Sequence, residues 1–233
     1  MSVDVNASLG DLAIEDPRRT KVFADFGLDY CCHGHVSLAQ AVTESELDIE
    51  TVRAALTIPG PAPSDEARDR AQSALAHDIV DTHHAYMWEE MPRLKELVDK
   101  VAQVHGATHP ELTEVQATYT AAITALDLHM TMEERVMFPA ISRMEKTQAP
   151  VAAGSFAAPI QQLRDEHEVV GQLFAQMRTL SNGYEVPADA CTSYRLMLNG
   201  LAHMERDLHE HIHKENNILF PRVLELEKEV TSR

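Results

Sequence analysis

His129-Met130-Thr131-Met132-Glu133, followed by Phe138-Pro139, and His211-Ile212-His213-Lys214-Glu215, followed by Phe220-Pro221 at the same offsets, decide the reading of this chain. Residues four apart lie about one turn from each other on one face of an α-helix, so each His-x-x-x-Glu motif offers an imidazole and a carboxylate to one place. The recurrence makes the two surrounding segments repeats. A further histidine stands upstream of each: His84 precedes His129 by 45 residues and His167 precedes His211 by 44. The pattern reads as two helical hairpins, each carrying two histidines and one glutamate.

Working outward, four long segments show the apolar spacing of amphipathic helices, at about 65–105, 110–145, 156–180 and 187–229, and strand-like alternation is nearly absent. Gly106, Asn182-Gly183 and nearby prolines mark short connections, which imply antiparallel neighbours. The expected fold class is therefore all-α, an up-down four-helix bundle. Upstream, Thr57-Ile58-Pro59-Gly60-Pro61-Ala62-Pro63-Ser64 favours an extended linker over a helix. The expected organisation is a small helical domain at 1–56, a linker at 57–64 and the bundle at 65–233. Within the small domain, Thr43-Glu44-Ser45-Glu46 resembles a helix cap that breaks the apolar run.

The six histidines and glutamates fall on the stripes that should face the bundle core. The first helix gives Val80, His84, Met87, Met91, Leu94 and Val98, and the third Ile160, Leu163, His167, Val170, Phe174 and Met177. The second gives Ile123, Leu126, His129, Glu133, Val136 and Ala140, and the fourth Leu201, Met204, Leu208, His211, Glu215 and Ile218. A single core histidine is usually satisfied by a hydrogen bond. A buried carboxylate is harder to place, since unpaired it costs several kcal/mol, and no lysine or arginine stands beside Glu133 or Glu215 on these stripes. Two glutamates and four histidines suit two metal ions. With both carboxylates bridging, each metal has two imidazole nitrogens and two carboxylate oxygens, and an oxo or hydroxo bridge leaves one position open. Structural zinc favours sulfur-rich closed sites and magnesium or calcium favours oxygen throughout, so iron fits best and manganese next.

Composition sets the surroundings. The formal net charge of −17, from 37 acidic and 20 basic side chains, repels phosphate backbones and anionic lipid, so neither nucleic acid nor a membrane is an expected partner. Three cysteines, two of them adjacent, make no disulfide framework. Without a signal-like start or a run of ~20 apolar residues, the expected location is the cytoplasm.

With those residues in place, His84, His129-x-x-x-Glu133, His167 and His211-x-x-x-Glu215 resemble a hemerythrin-like domain. The run from His211 to Arg222, with Glu215-Asn216-Asn217 and Leu219-Phe220-Pro221-Arg222, resembles the Repair of Iron Centres family. The resemblance covers nearly the whole chain. It implies a carboxylate- and oxo-bridged di-iron site held by His84, His129, Glu133, His167, His211 and Glu215. It also implies a role in restoring iron-sulfur clusters damaged by nitric oxide or oxidants. Asp29-Tyr30-Cys31-Cys32 resembles the cysteine pair of the small domain this family carries before its bundle, which makes Cys31 and Cys32 candidate cofactor-binding residues. Here His33 and His35 flank Gly34, where the family commonly has glycines after the pair.

The expected function is cluster restoration by iron donation, nitric oxide binding or both, with damaged iron-sulfur proteins as partners and nitric oxide or oxygen as small ligand. The alternatives are a nitric oxide-reducing di-iron enzyme and an oxygen or nitric oxide sensor. A homodimer is compatible with the sequence. Of the remaining histidines, His83 points about 100° away from His84 and is held in reserve. His105 lies about 31 Å along a helix from His84, too far to share its site. His109, His203, His209 and His213 are expected in solvent or behind the ligands. Cys191 is expected to be a small packed residue.

Overall fold

A computed structural model describes residues 3–62, 70–150 and 154–232, and among them a single isolated antiparallel bridge, Ser8 to Ser37, is the only β pairing. Four short helices form the amino-terminal unit: α1 (Leu9–Glu15), α2 (Arg19–Phe26), α3 (Leu38–Glu44) and α4 (Ile49–Leu56). Ser8 and Ser37 cap α1 and α3 by accepting the amides of Asp11 and Gln40, satisfying donors that a helix start otherwise leaves free. The break between α3 and α4 falls where the sequence put it, with a different cap. Thr43 to Glu46 closes α3, Glu46 taking a left-handed φ of 54°, and Asp48 caps α4 through the Thr51 amide at 2.8 Å. Leu9, Leu12, Phe23, Leu38, Val52 and Leu56 form the core of this unit.

Four rods make the bundle. The first runs through α5 (Gln72–Ile79), a π-helical turn (Val80–His84) and α6 (Ala85–His105). The second runs through α7 (Glu111–Met132), a π turn (Glu133–Met137) and α8 (Phe138–Thr147). The third is α9 (Ala157–Leu180), and the fourth is α10 (Thr192–His213), a π turn (Lys214–Leu219) and α11 (Phe220–Thr231). Contacts between opposite ends show the rods to be antiparallel. Glu145, late in the second rod, accepts the amides of Gln72 and Ser73 at the start of the first. Glu227, late in the fourth, accepts the Phe156 amide before the third. Gln176 meets Glu114 across the second and third rods, and His105 meets Cys191 across the first and fourth. The ring order is therefore first, second, third, fourth.

The end of the expected linker and the expected start of the first helix, at 63–69, lie outside the described residues; the described helix begins at Gln72. The fourth rod begins at Thr192 rather than near 187. Pro187 instead opens a turn closed by the Ala190 amide at 3.0 Å, and Cys191 stays extended (φ −73°, ψ 172°) ahead of the helix.

The π turns were not expected. In the second and fourth rods the amides of Phe138 and Phe220 bond to the carbonyls of Glu133 and Glu215, five residues back. Pro139 and Pro221 come next and have no amide to continue an α ladder, so the backbone widens just before them. The widening rotates the helix face. Val136, placed on the core stripe by a 3.6-residue period, is 55% exposed, and Met137 and Phe138 are buried in its place.

The bundle core divides in two. Met91, Leu94, Val98, Tyr119, Phe174 and Leu201 fill the half toward the 106–110 connection, and Leu75, Ile79, Ile141, Ile160, Phe220 and Val223 fill the other half. The six histidines and glutamates form a buried polar layer between these apolar halves. No helix among the described residues is long and apolar enough to cross a membrane.

Candidate metal centre

The π turns place the polar layer. His84 ends the first, Glu133 begins the second and Glu215 lies in the third, while His129 and His211 sit one turn upstream on regular helix. Two groups of four donors result. His84, Glu133, His211 and Glu215 have ligand atoms all within 4.8 Å of one another, as do His129, Glu133, His167 and Glu215. Both glutamates belong to both groups. The histidines pair across the hairpins rather than within them, because the ring order puts the first rod beside the fourth and the second beside the third. The Nε2 atoms of His84 and His211 are 3.1 Å apart, and those of His129 and His167 2.9 Å apart. Glu133 Oε2 lies 3.4 Å from His84 Nε2 and 3.3 Å from His129 Nε2; Glu215 lies 3.1 Å from the Nε2 atoms of His167 and His211.

Outer partners fix which nitrogen faces inward. His84 Nδ1 donates to Glu134 Oε1 at 3.0 Å, His129 Nδ1 to Glu166 Oε2 at 2.9 Å and His167 Nδ1 to Asn216 Oδ1 at 3.0 Å. A carboxylate or amide oxygen only accepts, so the proton sits on Nδ1 and Nε2 keeps its lone pair toward the centre. Lone pairs facing lone pairs and carboxylates at about 3 Å repel unless protons or cations lie among them. Glu133 and Glu215 are 0% exposed, and both oxygens of Glu133 and one of Glu215 lack a hydrogen-bond partner. Four nitrogens and two carboxylates with that deficit are a donor set suited to a pair of first-row cations.

Titration without metal shows the same tension. Burial opposes charging the rings, yet Glu133, Glu166 and Glu215 outweigh it and push His129 up to about 9. His84 is raised in the same way, with burial opposed by Glu133 and Glu215. Fully enclosed His211 is lowered, chiefly by burial. Burial should raise Glu215, but His211 and His167 hold it well below the usual carboxylate range. A metal would replace these protons, so loading should release them.

Aromatic rings close the site from the sides. Phe138 stacks on His84 at 5.8 Å and Phe220 on His167 at 6.2 Å, one ring per hairpin. His83, held in reserve from the sequence, is buried; it bonds Asp207 at 3.1 Å and stacks parallel on His211 at 5.5 Å. The sequence reading missed Glu134, Glu166 and Asn216. The available signal was adjacency: each neighbours an expected ligand in sequence, and a residue one step along a helix points about 100° away, toward the ligand of a neighbouring rod.

The small unit packs directly on the layer's edge. Asn216 joins the two: its Oδ1 accepts from His167, and its Nδ2 donates to the Cys31 carbonyl at 3.3 Å. Asn217 Nδ2 donates to the carbonyls of Tyr30 and Cys31 at 3.0 and 3.3 Å. A Cβ on Gly34 would fall 2.4 Å from Asn217 Oδ1, so glycine is what permits this approach. Tyr30 lies 5.4 Å from the ring of His213, which is buried and pushed down to about 4 by burial. The structure thus puts Cys31 in the bundle core cluster and leaves Cys32 half-buried, with the two Sγ atoms 4.0 Å apart.

Among the other residues set aside, Cys191 is exposed rather than packed and lies 3.2 Å from His105 Nε2; the extended backbone before α10 turns it outward. His109 bonds Glu111 and Asp189, His203 bonds Tyr86, and His209 is half-buried.

Residues 75–223 match the hemerythrin HHE cation binding domain family, and residues 5–58 match a domain family of unknown function, DUF542. The chain is 36% identical over 219 residues to the iron-sulfur cluster repair protein YtfE of Musicola paradisiaca, covering 93% of this chain and 96% of that one. It is 35% identical over 221 residues to the proteins of the same name from Yersinia pestis strain Pestoides F and Yersinia pseudotuberculosis serotype O:1b, covering 94% of this chain and 97% of each.

Proposed function

The chain belongs to the Repair of Iron Centres family of hemerythrin-like proteins, and we propose that it restores iron-sulfur clusters damaged by nitric oxide or oxidants by means of a resident pair of iron ions. The observation that carries this reading is the pair of four-donor groups sharing Glu133 and Glu215. One ion would be held by His84 and His211 and the other by His129 and His167, with both carboxylates common to the two. Such a pair supplies redox-active positions for a small ligand such as nitric oxide or oxygen, and iron that can be given up to a damaged cluster.

The chain's own residues then have distinct work. Glu134, Glu166 and Asn216 hold three imidazoles in the tautomer that presents Nε2. Phe138 and Phe220 exclude water from the ligand rings and so strengthen their attraction for a cation. Damaged iron-sulfur proteins are the proposed partners. The proposed division is a bundle that holds the metal, a small domain carrying Cys31 and Cys32, and a junction at 57–64. We assign the cysteine pair to handling iron at the seam, and because Cys31 is buried the role falls first on Cys32.

The test is reactivation. Iron-loaded protein, incubated without oxygen with a nitric oxide-damaged iron-sulfur dehydratase and a reductant, should restore its activity. The His129→Ala/His167→Ala variant, lacking both nitrogens of one group, should not. Equal reactivation by that variant would defeat the proposal.

A further inference from the structure

The seam between the small domain and the bundle holds a second set of metal-binding side chains. Asp29, Cys31 and Cys32 offer ligand atoms within 4.8 Å of one another, as do Asp29, His33 and Glu168, and Asp29 is common to both sets. Asp29 builds the local backbone. Its Oδ1 accepts the amides of Cys31 at 3.1 Å and Cys32 at 2.9 Å, folding the chain so that both thiols turn to the same side, and the Cys31 thiol lies 3.1 Å from the same oxygen. Its Oδ2 accepts from His33 Nδ1 at 2.7 Å.

The spacing suits one ion. Two thiolates bound at about 2.3 Å to a tetrahedral ion lie about 3.8 Å apart, and here the Sγ atoms are 4.0 Å apart without rearrangement. A cavity of about 180 Å³ adjoins them, bounded by both cysteines, Asp29, Glu168, Glu205 and His209 among others. Glu205 gives an independent indication. It is only 5% exposed, and its Oε1 has no hydrogen-bond partner, Arg178 standing off at 3.7 Å. This oxygen has an ion pair but no hydrogen bond, and a cation in the cavity that Glu205 lines together with the two cysteines would give the buried carboxylate a second counter-charge.

We propose that Asp29, Cys31 and Cys32 form a third cation site, holding a single ferrous ion in transit, with its fourth position open to the cavity. Three protein ligands and one open position make an exchangeable site rather than a closed structural one. Its place suits that use, since Glu168 follows the ligand His167 in sequence and the Cys31 carbonyl is tied to His167 through Asn216. The inference deepens the proposed repair role and rests on it only in naming iron as the cargo.

Co2+ is a suitable probe for ferrous iron, because thiolate ligation gives it an intense near-ultraviolet charge-transfer band. Full-length protein whose bundle is already loaded with iron is titrated with Co2+ in the absence of oxygen. The expected result is one Co2+ per chain with that band. Affinity should fall at least tenfold in Asp29→Asn, the band should vanish in Cys31→Ser/Cys32→Ser, and Cys191→Ser should leave it unchanged. A folded, iron-loaded protein that develops no band, or a band that survives in the double serine variant, would overturn the proposal. A second measurement avoids substitution altogether: one equivalent of Co2+ should slow alkylation of Cys32 at least tenfold, with exposed Cys191 as the unaffected internal control. Unchanged alkylation of Cys32 would also overturn the site. Bundle iron, measured separately, distinguishes this failure from failure of the repair role.

Discussion

Replacing both glutamates of the polar layer by leucine should act in opposite directions on the metal-free and iron-loaded protein. Without metal, Glu133 and Glu215 are fully buried and three of their four carboxylate oxygens have no hydrogen-bond partner. Exchanging buried ionic groups for apolar ones of similar volume is neutral or stabilising by about 1–4 kcal/mol. Removing Glu133 and Glu215 takes away two of the three carboxylates that raise His129, so burial then weighs against a charged ring with only Glu166 left to oppose it. For a chain of this size each kcal/mol moves Tm by roughly 2–4 °C, so the metal-free Glu133→Leu/Glu215→Leu variant should melt at, or several degrees above, the metal-free parent. Loading reverses the order. Free metal at a thousand times its Kd stabilises the parent by about 4.1 kcal/mol per site, and the variant gains little because both ions lose both carboxylates. The assay is thermal unfolding followed by circular dichroism after chelation and after anaerobic iron loading. A metal-free variant several kcal/mol less stable than its parent would refute the reasoning, since it would make the glutamates structural members of the core; so would a variant that iron stabilises as much as the parent.

Two further outcomes follow from neighbouring contacts. Asn216→Leu removes the acceptor of His167 Nδ1 and the link to Cys31, so iron should be lost to a chelator about 10–100-fold more readily with helicity unchanged; an unaltered rate would show that the amide does not position the ligand. His109 is raised above its ordinary 6.5 chiefly by Asp189, so the stability it contributes is fully present below about pH 6.5 and is lost as pH rises through its folded value. His109→Gln should flatten the pH dependence of Tm in that window and only there, and an unchanged profile would remove the contact from the account.

Much of the fold was legible because the apolar period and the Gly- and Pro-marked connections agree. The six polar core residues stood out because glutamate is so costly on such a stripe. Three features were hidden for identifiable reasons. A constant period of 3.6 cannot represent a π turn, so Val136 was assigned inward when Met137 and Phe138 are the buried residues. The prolines at 139 and 221 were visible, but their effect on the preceding turn becomes clear only from the Phe138 and Phe220 amides. Sequence order leaves open which histidines share a group, and the structure sets His84 with His211 and His129 with His167. Ring order around the bundle decides this, and ring order is a tertiary property. The seam was hidden for the same reason: Asn216 and Asn217 carry no mark of binding carbonyls some 185 residues earlier in the chain.

Mössbauer spectroscopy with metal analysis, on protein enriched in 57Fe and purified without oxygen, tests the central claim most directly. The proposed reading of two groups sharing both carboxylates predicts two irons per chain in the bundle, which after oxidation should form a diamagnetic, antiferromagnetically coupled ferric pair. A single uncoupled iron, or zinc alone from iron-replete growth, would contradict the account.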